Sequence, residues 1–402
     1  MQSTESTLRT DGPLSGILVV DLSRALAGPH AGMMLADLGA RVIKVENPGT
    51  GDDTRGWGPP FQSGESAYFM SINRNKESVT LDFKQPEGRA ALDRLITRAD
   101  VLVENFRPGT LTKLGLDYAS LQATHPRLVY CSISGFGHNG PRRREAGYDA
   151  VMQGEGGLMS ITGGADGPPY RLGVAIADIV SGMFAAQGIT AALFARERTG
   201  RGQAVDIAML DSVAALLTYQ AGIYFATGTA PGRLGNRHPT IVPYETFSAS
   251  DGEFVLAVGN DDQWRRFCSV AGLAEEERFS TNRQRVLAYD DLRRLVASRL
   301  AAETRAYWIE RLTAAGVPCG SVRNLHELFA DPQIAARAMV AELQHPTVGA
   351  MRVLGTPLKL SDTAAAIRTA PPTLGQHTAE VLTADAGVAA ADLDALRAKG
   401  VI

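Results

Sequence analysis

A single acidic residue, Asp178, interrupts an apolar and glycine-punctuated run between Arg171 and Met183. A short strand-like piece at 173–177 precedes it, and apolar residues recur with helical spacing over 179–195. The pattern therefore places Asp178 at or near the N-terminus of a helix. An aspartate there is either an N-cap or, where helix amides and the helix dipole keep a poorly solvated carboxylate ionised, a nucleophile. The local pattern leaves both interpretations open.

Strands and helices alternate through the first half of the chain. Short apolar runs predict strands, which are 17–21, 41–46, 78–82, 101–103, 128–132 and 204–208. Helical patterns lie between them, including 29–38 and a helix that opens at Pro86 with proline at its first position. Continuous apolar strands alternating with helices predict an α/β fold with an open, mainly parallel sheet covered on both faces.

Ligands bind such sheets at the carboxyl ends of the strands. The loop 23–29 and Arg107 both follow strands and are expected at that edge. The long segment 51–60, between the second and third strands, is expected to be ordered and functional. Gly28 and Gly32 lack the spacing of a dinucleotide fingerprint, and no phosphate-binding P-loop is present, so the sequence gives no indication of NAD or ATP binding.

Charge and cysteine content narrow the class of protein. A net charge of -3 gives no reason to expect nucleic acid as a partner. The three cysteines are far apart and form neither a disulfide framework nor a zinc spacing, so we expect a reducing cytoplasm and no metal. Residues 1–12 resemble a frayed tail rather than a signal peptide. No apolar run approaches the length needed to span a bilayer, so no membrane partner is expected.

The sequence also predicts how the chain divides. We expect residues 1–205 to form the first part of a large domain, followed by a linker over 206–233. From residue 234 the pattern of residue types becomes that of a small mixed α/β domain, which ends near residue 322. Residues 323–402 are expected to form a linker and a C-terminal part that returns to the large domain.

Seven motifs in order along nearly the whole chain resemble the family III CoA-transferases, the group of formyl-CoA transferase and carnitine CoA-transferase. The motifs are Leu14–Pro29, Leu38–Glu46, Gly51–Arg55, Asn73–Lys76, Glu104–Gly109, Gly147–Asp149 and Arg198–Gln203. The resemblance implies a Rossmann-like large domain built from both termini, with the small domain inserted between. It also implies an interlocked homodimer.

The same resemblance assigns roles to individual residues. Asp178 falls on the family's catalytic aspartate. Residues expected near the adenine, ribose and phosphates of CoA are Leu26, Ala27, Asn47, Leu81, Lys84, Asn105, Phe106, Arg107, Lys113, Tyr148 and Asp149.

The chemistry of CoA transfer suits a carboxylate nucleophile. Exchange of CoA between two carboxylic acids is nearly thermoneutral, so no nucleotide and no permanently bound cofactor is needed, and the CoA thioester is itself a substrate. The protein carboxylate attacks the thioester to give a mixed anhydride, and the released thiolate then forms an aspartyl-CoA thioester that the acceptor acid opens. Each tetrahedral intermediate needs donors for its oxyanion.

A rival reaction exists within the same fold. α-Methylacyl-CoA racemases move an α-proton with an aspartate and a histidine. In that branch a histidine stands where this chain has Tyr148, whose phenol has an unperturbed pKa near 10 and is a poor acid–base partner. Racemase is therefore the disfavoured alternative, followed by CoA-thioester lyases or hydrolases and by a non-catalytic CoA-binding protein.

Four residues are candidates for holding the acceptor acid. Arg171 and Arg237 can each clamp a second carboxylate. His238 either contacts the acceptor or caps a turn. Gly259 stands where the formyl-CoA branch has a glycine-rich lid, which this chain lacks. Together with a texture close to the dicarboxylate branch, these residues favour succinyl-CoA as donor and a small dicarboxylic acid as acceptor.

Overall fold

A computed structural model describes residues 12–402, which form two compact units. The larger unit contains 12–158, Leu172–Thr218 and Gln333–Ile402, and the smaller unit contains Met159–Arg171 and Tyr219–Pro332. The larger unit therefore continues past 205, because the strand Ala204–Ala208 completes its sheet. The tail predicted at 1–12 lies outside the described residues except for Gly12.

The larger unit is built on a six-stranded parallel sheet. Its strands in chain order are β1 (Leu18–Asp21), β2 (Arg41–Glu46), β3 (Lys76–Thr80), β4 (Val101–Glu104), β5 (Val129–Ser134) and β6 (Ala204–Ala208). Their spatial order is β3-β2-β1-β4-β5-β6, which is the doubly wound Rossmann order. The six predicted strands are confirmed, with bounds that shift by at most two residues. The order reverses between β1 and β4, where a doubly wound sheet leaves a crevice for a ligand.

Both faces of the sheet are buried. Successive residues of a strand point to opposite faces, so Val19 and Val101 enter one apolar cluster while Val20 and Leu102 enter the other. All four side chains are shielded from solvent. Burial on both faces explains why the strands read as continuous apolar runs rather than as an alternation.

Helices cover the two faces of this sheet. Those of the larger unit are Ala27–Asp37, Ala67–Ile72, Pro86–Arg98, Tyr118–Leu121, Asp149–Glu155, Ile176–Thr199, Met209–Leu216, Thr378–Ala384 and Leu393–Ala398. Single 3₁₀ turns are Asp53–Gly56, Thr112–Leu114 and Ala390–Asp392. The C-terminal segment packs against the larger unit, since Val401 is buried in the core and its carbonyl accepts the Asp82 N–H at 2.8 Å.

Two small antiparallel pairs complete the larger unit. They are Val340–His345 with Gly349–Leu354 and Phe61–Gln62 with Glu65–Ser66. Two short helices, Leu158–Ile161 and Pro332–Ala336, lie where the chain passes from one unit to the other.

The helix Ile176–Thr199 corrects one expectation. The most apolar window of this 24-residue helix has a mean hydropathy of 1.4. By length and composition alone the helix is therefore long and apolar enough to cross a membrane. The expectation that no apolar run approaches that length was wrong. Half of that window is buried in the protein. Ala177, Ala185 and Ile189 pack in the core under the sheet, which is the place of a core helix.

The smaller unit is a mixed α/β structure, as predicted. Its antiparallel sheet contains Tyr244–Ala249, Gly252–Ala257 and Cys319–Ser321. Its helices are Thr218–Thr227, Asp261–Ala271, Asn282–Leu287, Tyr289–Leu300, Arg305–Ala314 and Leu325–Phe329, with a 3₁₀ turn at Glu277–Phe279. Buried aromatic side chains, including Trp264, Phe254 and Trp308, form its core.

Candidate active site

Asp178 is the third residue of the helix Ile176–Thr199, referred to below as the Asp178 helix. The aspartate lies in the first helical turn, as predicted. The N-cap, however, is Ala175, which makes no side-chain capping bond, so the N-cap interpretation of Asp178 was wrong. The strand expected at 173–177 was wrong too, because the helix begins at Ile176 and Val174 is 55% exposed. Periodicity cannot separate a short apolar strand from the start of a buried helix.

Asp149 supplies the cap that Ala175 does not. Its carboxylate accepts the N–H of Ala177 at 2.9 Å and the side-chain amide of Gln153 at 2.8 Å. An unpaired N–H in the first turn of a helix needs such an acceptor. Asp149 therefore fixes the start of the Asp178 helix, and its expected contact with CoA stays a prediction.

The backbone N–H of Ala27 faces the Asp178 carboxylate and favours its charged form. Ala27 is the first residue of the helix Ala27–Asp37, so two helix N-termini meet at one carboxylate. Both helix dipoles place partial positive charge there, which favours an anion.

Burial nevertheless raises the pKa of Asp178 to about 7. Repulsion by the neighbouring Asp149 carboxylate raises the pKa further, while the Ala27 N–H lowers it. Desolvation of the carboxylate therefore outweighs the stabilising effect of the helix amides. Near neutral pH the side chain is a poorly solvated carboxylate for part of the population, which suits a nucleophile.

Gly182 allows the two helices to approach each other one turn beyond Asp178. A Cβ atom at this position would lie 2.7 Å from the Ala27 carbonyl oxygen and 3.1 Å from the His30 ring. The first distance is shorter than any normal contact with a backbone atom. Burial, with Lys76 and Arg74 nearby, lowers the pKa of His30 to about 4, so a neutral imidazole fills this space.

A cavity of about 380 Å³ opens above Asp178 at the carboxyl ends of β1, β4 and β5. Seven residues that the sequence assigned to the site line it, namely Leu26, Ala27, Asn105, Phe106, Arg107, Tyr148 and Asp178. The loop 23–29 and Arg107 thus lie at the carboxyl ends of the strands, where they were expected. Whether CoA itself contacts them stays a prediction.

Other expected CoA contacts lie outside that cavity. Asn47 lines a smaller neighbouring cavity together with Arg24, Lys44 and Phe106. The Leu81 side chain is buried in the core, so only its backbone is able to serve a ligand. Lys84, Lys113 and Asp149 do not line the cavity either. The two lysines are exposed.

Asn105 ties the two loops at the switch point together. Its side-chain oxygen accepts the Arg24 N–H at 2.8 Å, and its side-chain nitrogen donates to the Arg24 carbonyl at 2.6 Å. The next residue, Ala25, has a left-handed φ of 65°, which is unfavourable for a residue with a side chain. Asp52 accepts the Ala25 N–H at 3.2 Å. The strained backbone just before Leu26 is thus held from both sides.

Buried ion pairs support the floor of this site, and no sequence pattern indicated them. Lys44 pairs with Asp52 at 2.8 Å and Lys76 with Asp21 at 3.1 Å, and all four side chains are inaccessible to solvent. Each cation also donates to a backbone carbonyl, Lys44 to Ser23 and Lys76 to Pro29, both at 2.8 Å. Since an unpaired buried charge is costly, these pairs fix the loop that follows β1.

Two aromatic residues of the cavity were not among the predicted site residues. Trp57 and Tyr68 line it and meet edge to face with their ring centres 5.0 Å apart. Burial raises the pKa of Tyr68 to about 12, with Asp178 the strongest of the neighbouring charges. Arg55 lies 3.6 Å above the Phe69 ring and pairs with Glu46 at 2.7 Å. The order expected for the segment 51–60 is confirmed, and its aromatic content was the available signal.

The four candidate acceptor residues lie in the smaller unit. The His238 ring stacks on Tyr219, and its Nδ1 accepts the N–H groups of Thr240 and Ile241, so it does cap a turn. Arg237 lies 3.4 Å above the Tyr289 ring. The remaining two are Arg171, which is exposed, and Gly259, whose N–H donates to the Gln263 side chain at 2.7 Å. A role of any of the four in acceptor binding stays a prediction.

Comparison with known proteins identifies the family. The model of CoA-transferase family III matches residues 14–378. The chain belongs to CoA-transferase family III. The resemblance seen in the seven motifs is thereby confirmed, and so is the prediction that the protein is an enzyme of the CoA-transferase type.

Relatives of this CoA-transferase cover nearly its whole length. A succinate–glutarate CoA-transferase of Agrobacterium fabrum is 45% identical over 92% of this chain and 95% of its own. A succinyl-CoA:glutarate CoA-transferase of Homo sapiens is 40% identical over 94% of this chain and 87% of its own. The crystal structure of a CAIB/BAIF family protein from Brucella suis matches with a TM-score of 0.83 and 45% identity, covering 92% of this chain and 99% of that one.

Replacing Asp178 with asparagine is expected to stabilise the transferase at high pH. The native carboxyl loses its proton near pH 7, whereas in the unfolded chain it does so near 3.8, so the native state is progressively destabilised as the pH rises between these values. Asparagine keeps the shape and does not ionise. The melting temperature of Asp178→Asn relative to the wild type should rise by a few degrees from pH 4 to pH 8. A difference that does not change with pH would contradict the raised pKa.

Gly182→Ala is expected to impair catalysis more than folding. The added methyl collides with the Ala27 carbonyl, and overpacking of this kind costs about 1–3 kcal/mol. The helices must shift, which moves the Ala27 N–H away from Asp178, so kcat should fall on the order of tenfold to a hundredfold. Gly222→Ala is the matched control, because this residue is also helical and no described atom lies within 4 Å of the place that its methyl group would take. Equal kcat values for the two variants would refute the packing role.

Proposed function

We propose that this chain transfers CoA from succinyl-CoA to a small dicarboxylic acid through covalent intermediates on Asp178. The observation that carries the proposal is the Asp178 carboxylate itself, which lies on the cavity with a raised pKa and one backbone N–H donor. The substrates are suggested by relatives whose names specify succinyl-CoA with glutarate, mesaconate or D-citramalate.

The reaction proceeds by four acyl-transfer steps that use one carboxylate and one thiolate. An Asp178 oxygen attacks the thioester carbonyl, the C–S bond breaks, and a mixed anhydride and the CoA thiolate result. The thiolate attacks the aspartyl carbonyl, which releases the donor acid and leaves an aspartyl-CoA thioester. The acceptor carboxylate then attacks that thioester and expels the thiolate. Attack of the thiolate on the acceptor acyl carbon of the second anhydride yields the new acyl-CoA and regenerates Asp178.

Several features of the cavity support these steps. The Ala27 N–H orients Asp178, and the Trp57 and Tyr68 rings limit the access of water, which would hydrolyse an anhydride. A carboxylate that has already lost most of its hydration needs little desolvation before it attacks.

Two arginines at the switch point suit the negative charge of CoA. Arg24 lies 4.9 Å above the Phe106 ring, and Arg107 is exposed at the rim of the same cavity. Arginine is well suited to phosphate recognition because its planar guanidinium donates two parallel hydrogen bonds. We place the CoA phosphates beside these residues, and the contacts expected at Asn47, Leu81, Lys84, Lys113 and Asp149 belong to the same proposal.

The acceptor and the assembly complete the proposal. We assign the second carboxylate of the acceptor to Arg171, Arg237, His238 or Gly259. His238 is prepared for this role because Nδ1 accepts two backbone N–H groups, which leaves the proton on Nε2 as a donor. The proposed assembly is an interlocked homodimer, and the proposed location is the cytoplasm.

Trapping with hydroxylamine tests the covalent intermediate. After incubation of the enzyme with succinyl-CoA alone, hydroxylamine should convert Asp178 into a hydroxamate, detected by mass spectrometry of the peptide. Asp178→Ala should give no hydroxamate and no transfer of CoA to glutarate, mesaconate or citramalate in a panel assay. His326→Gln, at an exposed histidine of the smaller unit, is the control and should behave as the wild type. A hydroxamate at another residue, or transfer by Asp178→Ala, would overturn the assignment.

A further inference from the structure

We propose that Glu104 is a positioning residue whose protonation state, coupled through Ser132 to His138, sets how firmly the loop Asn105–Arg107 is held for CoA. The inference rests on the proposed function, because that function places CoA beside this loop. Glu104 itself does not line the cavity, so it acts through the loop and not on the substrate.

Glu104 holds the loop from below. It is the last residue of β4 and is only 3% exposed. Its carboxylate accepts the Phe106 N–H at 2.8 Å, immediately beyond Asn105, whose side chain bridges to Arg24. Glu104 and Asn105 together therefore fix the backbone from which Phe106 and Arg107 reach the cavity.

A chain of hydrogen bonds connects Glu104 to the surface. Ser132 is the neighbour of Glu104 on the adjacent strand β5, and its hydroxyl lowers the pKa of the Glu104 carboxyl. The same hydroxyl oxygen lies 2.6 Å from His138 Nε2. Ser132 is buried, whereas His138 is exposed on the loop after β5. The His138 backbone N–H donates to Asp206 of β6 at 3.1 Å, which anchors the outer end of this chain.

The groups around Glu104 make its charge costly. Burial raises the pKa of Glu104 to about 7, Asp206 raises it further, and no cation of the described residues offsets the two. The other titratable groups that face it are Tyr130 and Cys131 of β5, which are neutral because burial and the nearby Glu104 raise their pKa values. The remaining neighbour is His138. The carboxyl group therefore changes its charge within the neutral range.

Ser132 allows a proton to pass between the two ends. When Glu104 gives its proton to Ser132 Oγ, the original hydroxyl proton moves to His138 Nε2, so one O–H bond and one N–H bond form as two O–H bonds break. The result is a Glu104 carboxylate, and a proton leaves to solvent from the exposed His138 ring. A charged acceptor makes a hydrogen bond about twice as strong as a neutral one. The ionised state thus holds the Phe106 N–H, and with it the loop, more firmly.

The consequence is that CoA binding weakens as the pH falls. The test uses calorimetric binding of free CoA to the Asp178→Asn variant, in which the catalytic carboxylate no longer titrates. In that background the Kd of CoA should be larger at pH 6 than at pH 8. The ratio of the two Kd values should be about fivefold larger with Glu104 present than with Glu104→Gln, which corresponds to a modest coupling between linked sites. Because both proteins bind the same ligand, the titration of the CoA phosphates cancels in the comparison. Equal ratios for the two proteins would overturn the proposal.

Two further variants separate the possible failures. Ser132→Ala leaves Glu104 in place but removes its hydroxyl donor, so the midpoint of the Kd against pH curve should move to higher pH, and an unchanged midpoint also overturns the proposal. This variant keeps the test valid if Glu104→Gln does not fold.

Arg107→Ala tests the placement of CoA. If it weakens CoA binding while Glu104→Gln has no effect on the pH ratio, only the role of Glu104 fails, and if it has no effect, the placement of CoA at this loop fails as well.

Discussion

The approach of the Ala27 N–H to the Asp178 carboxylate is the constraint on which the candidate site depends. It requires the starts of two helices to meet at the crevice between β1 and β4. Gly182 permits that approach. Asn105 and Asp52 hold the strained backbone at Ala25, and this backbone positions Ala27 next to Asp178. Small changes in this packing therefore act directly on the environment of the carboxylate.

Charge pairing divides the buried and half-buried acids of the larger unit into two classes. Asp21 and Asp52 have lysine partners, and burial does not prevent them from staying ionised. Asp178 and Glu104 have backbone and hydroxyl donors instead, and their pKa values rise to about 7. Acids whose pKa values are raised towards 7 occur more often at functional sites than at purely structural positions. The paired acids build the site, and the two unpaired acids are those able to change their charge within it.

The sheet was predicted well because strands that are buried on both faces consist of continuous apolar residues, and this pattern is visible in the sequence. The sequence also predicted the position of Asp178 near a helix start, and the resemblance to the family selected its role. It failed at 173–177, where a short apolar run is compatible with both a strand and the first turn of a buried helix. The length of the run was the only local evidence, and the packing of Ala177 in the core decided the outcome.

The parts of the site that could not be predicted depend on contacts distant in sequence. Asn105 reaches back to Arg24 across 81 positions, and Lys76 reaches Asp21 across 55. Nothing in the composition near either residue specifies these partners. Trp57 lies in the segment 51–60, which was expected to be ordered. Its contact with Tyr68 at the cavity of Asp178 depends on residues outside that segment, and no local pattern specifies it.

The pKa of Asp178 has to satisfy two opposite demands of the proposed chemistry. As a nucleophile the carboxylate gains from poor solvation and a raised pKa, because its lone pairs are then less stabilised. As the group that leaves when the second anhydride is opened, it gains from a lower pKa, because it departs with a negative charge. Burial and Asp149 act in the first direction, and the Ala27 N–H acts in the second. A single backbone donor, rather than an arginine or a lysine, keeps the balance near neutrality, since a full positive charge would lower the pKa and weaken the attack on the thioester.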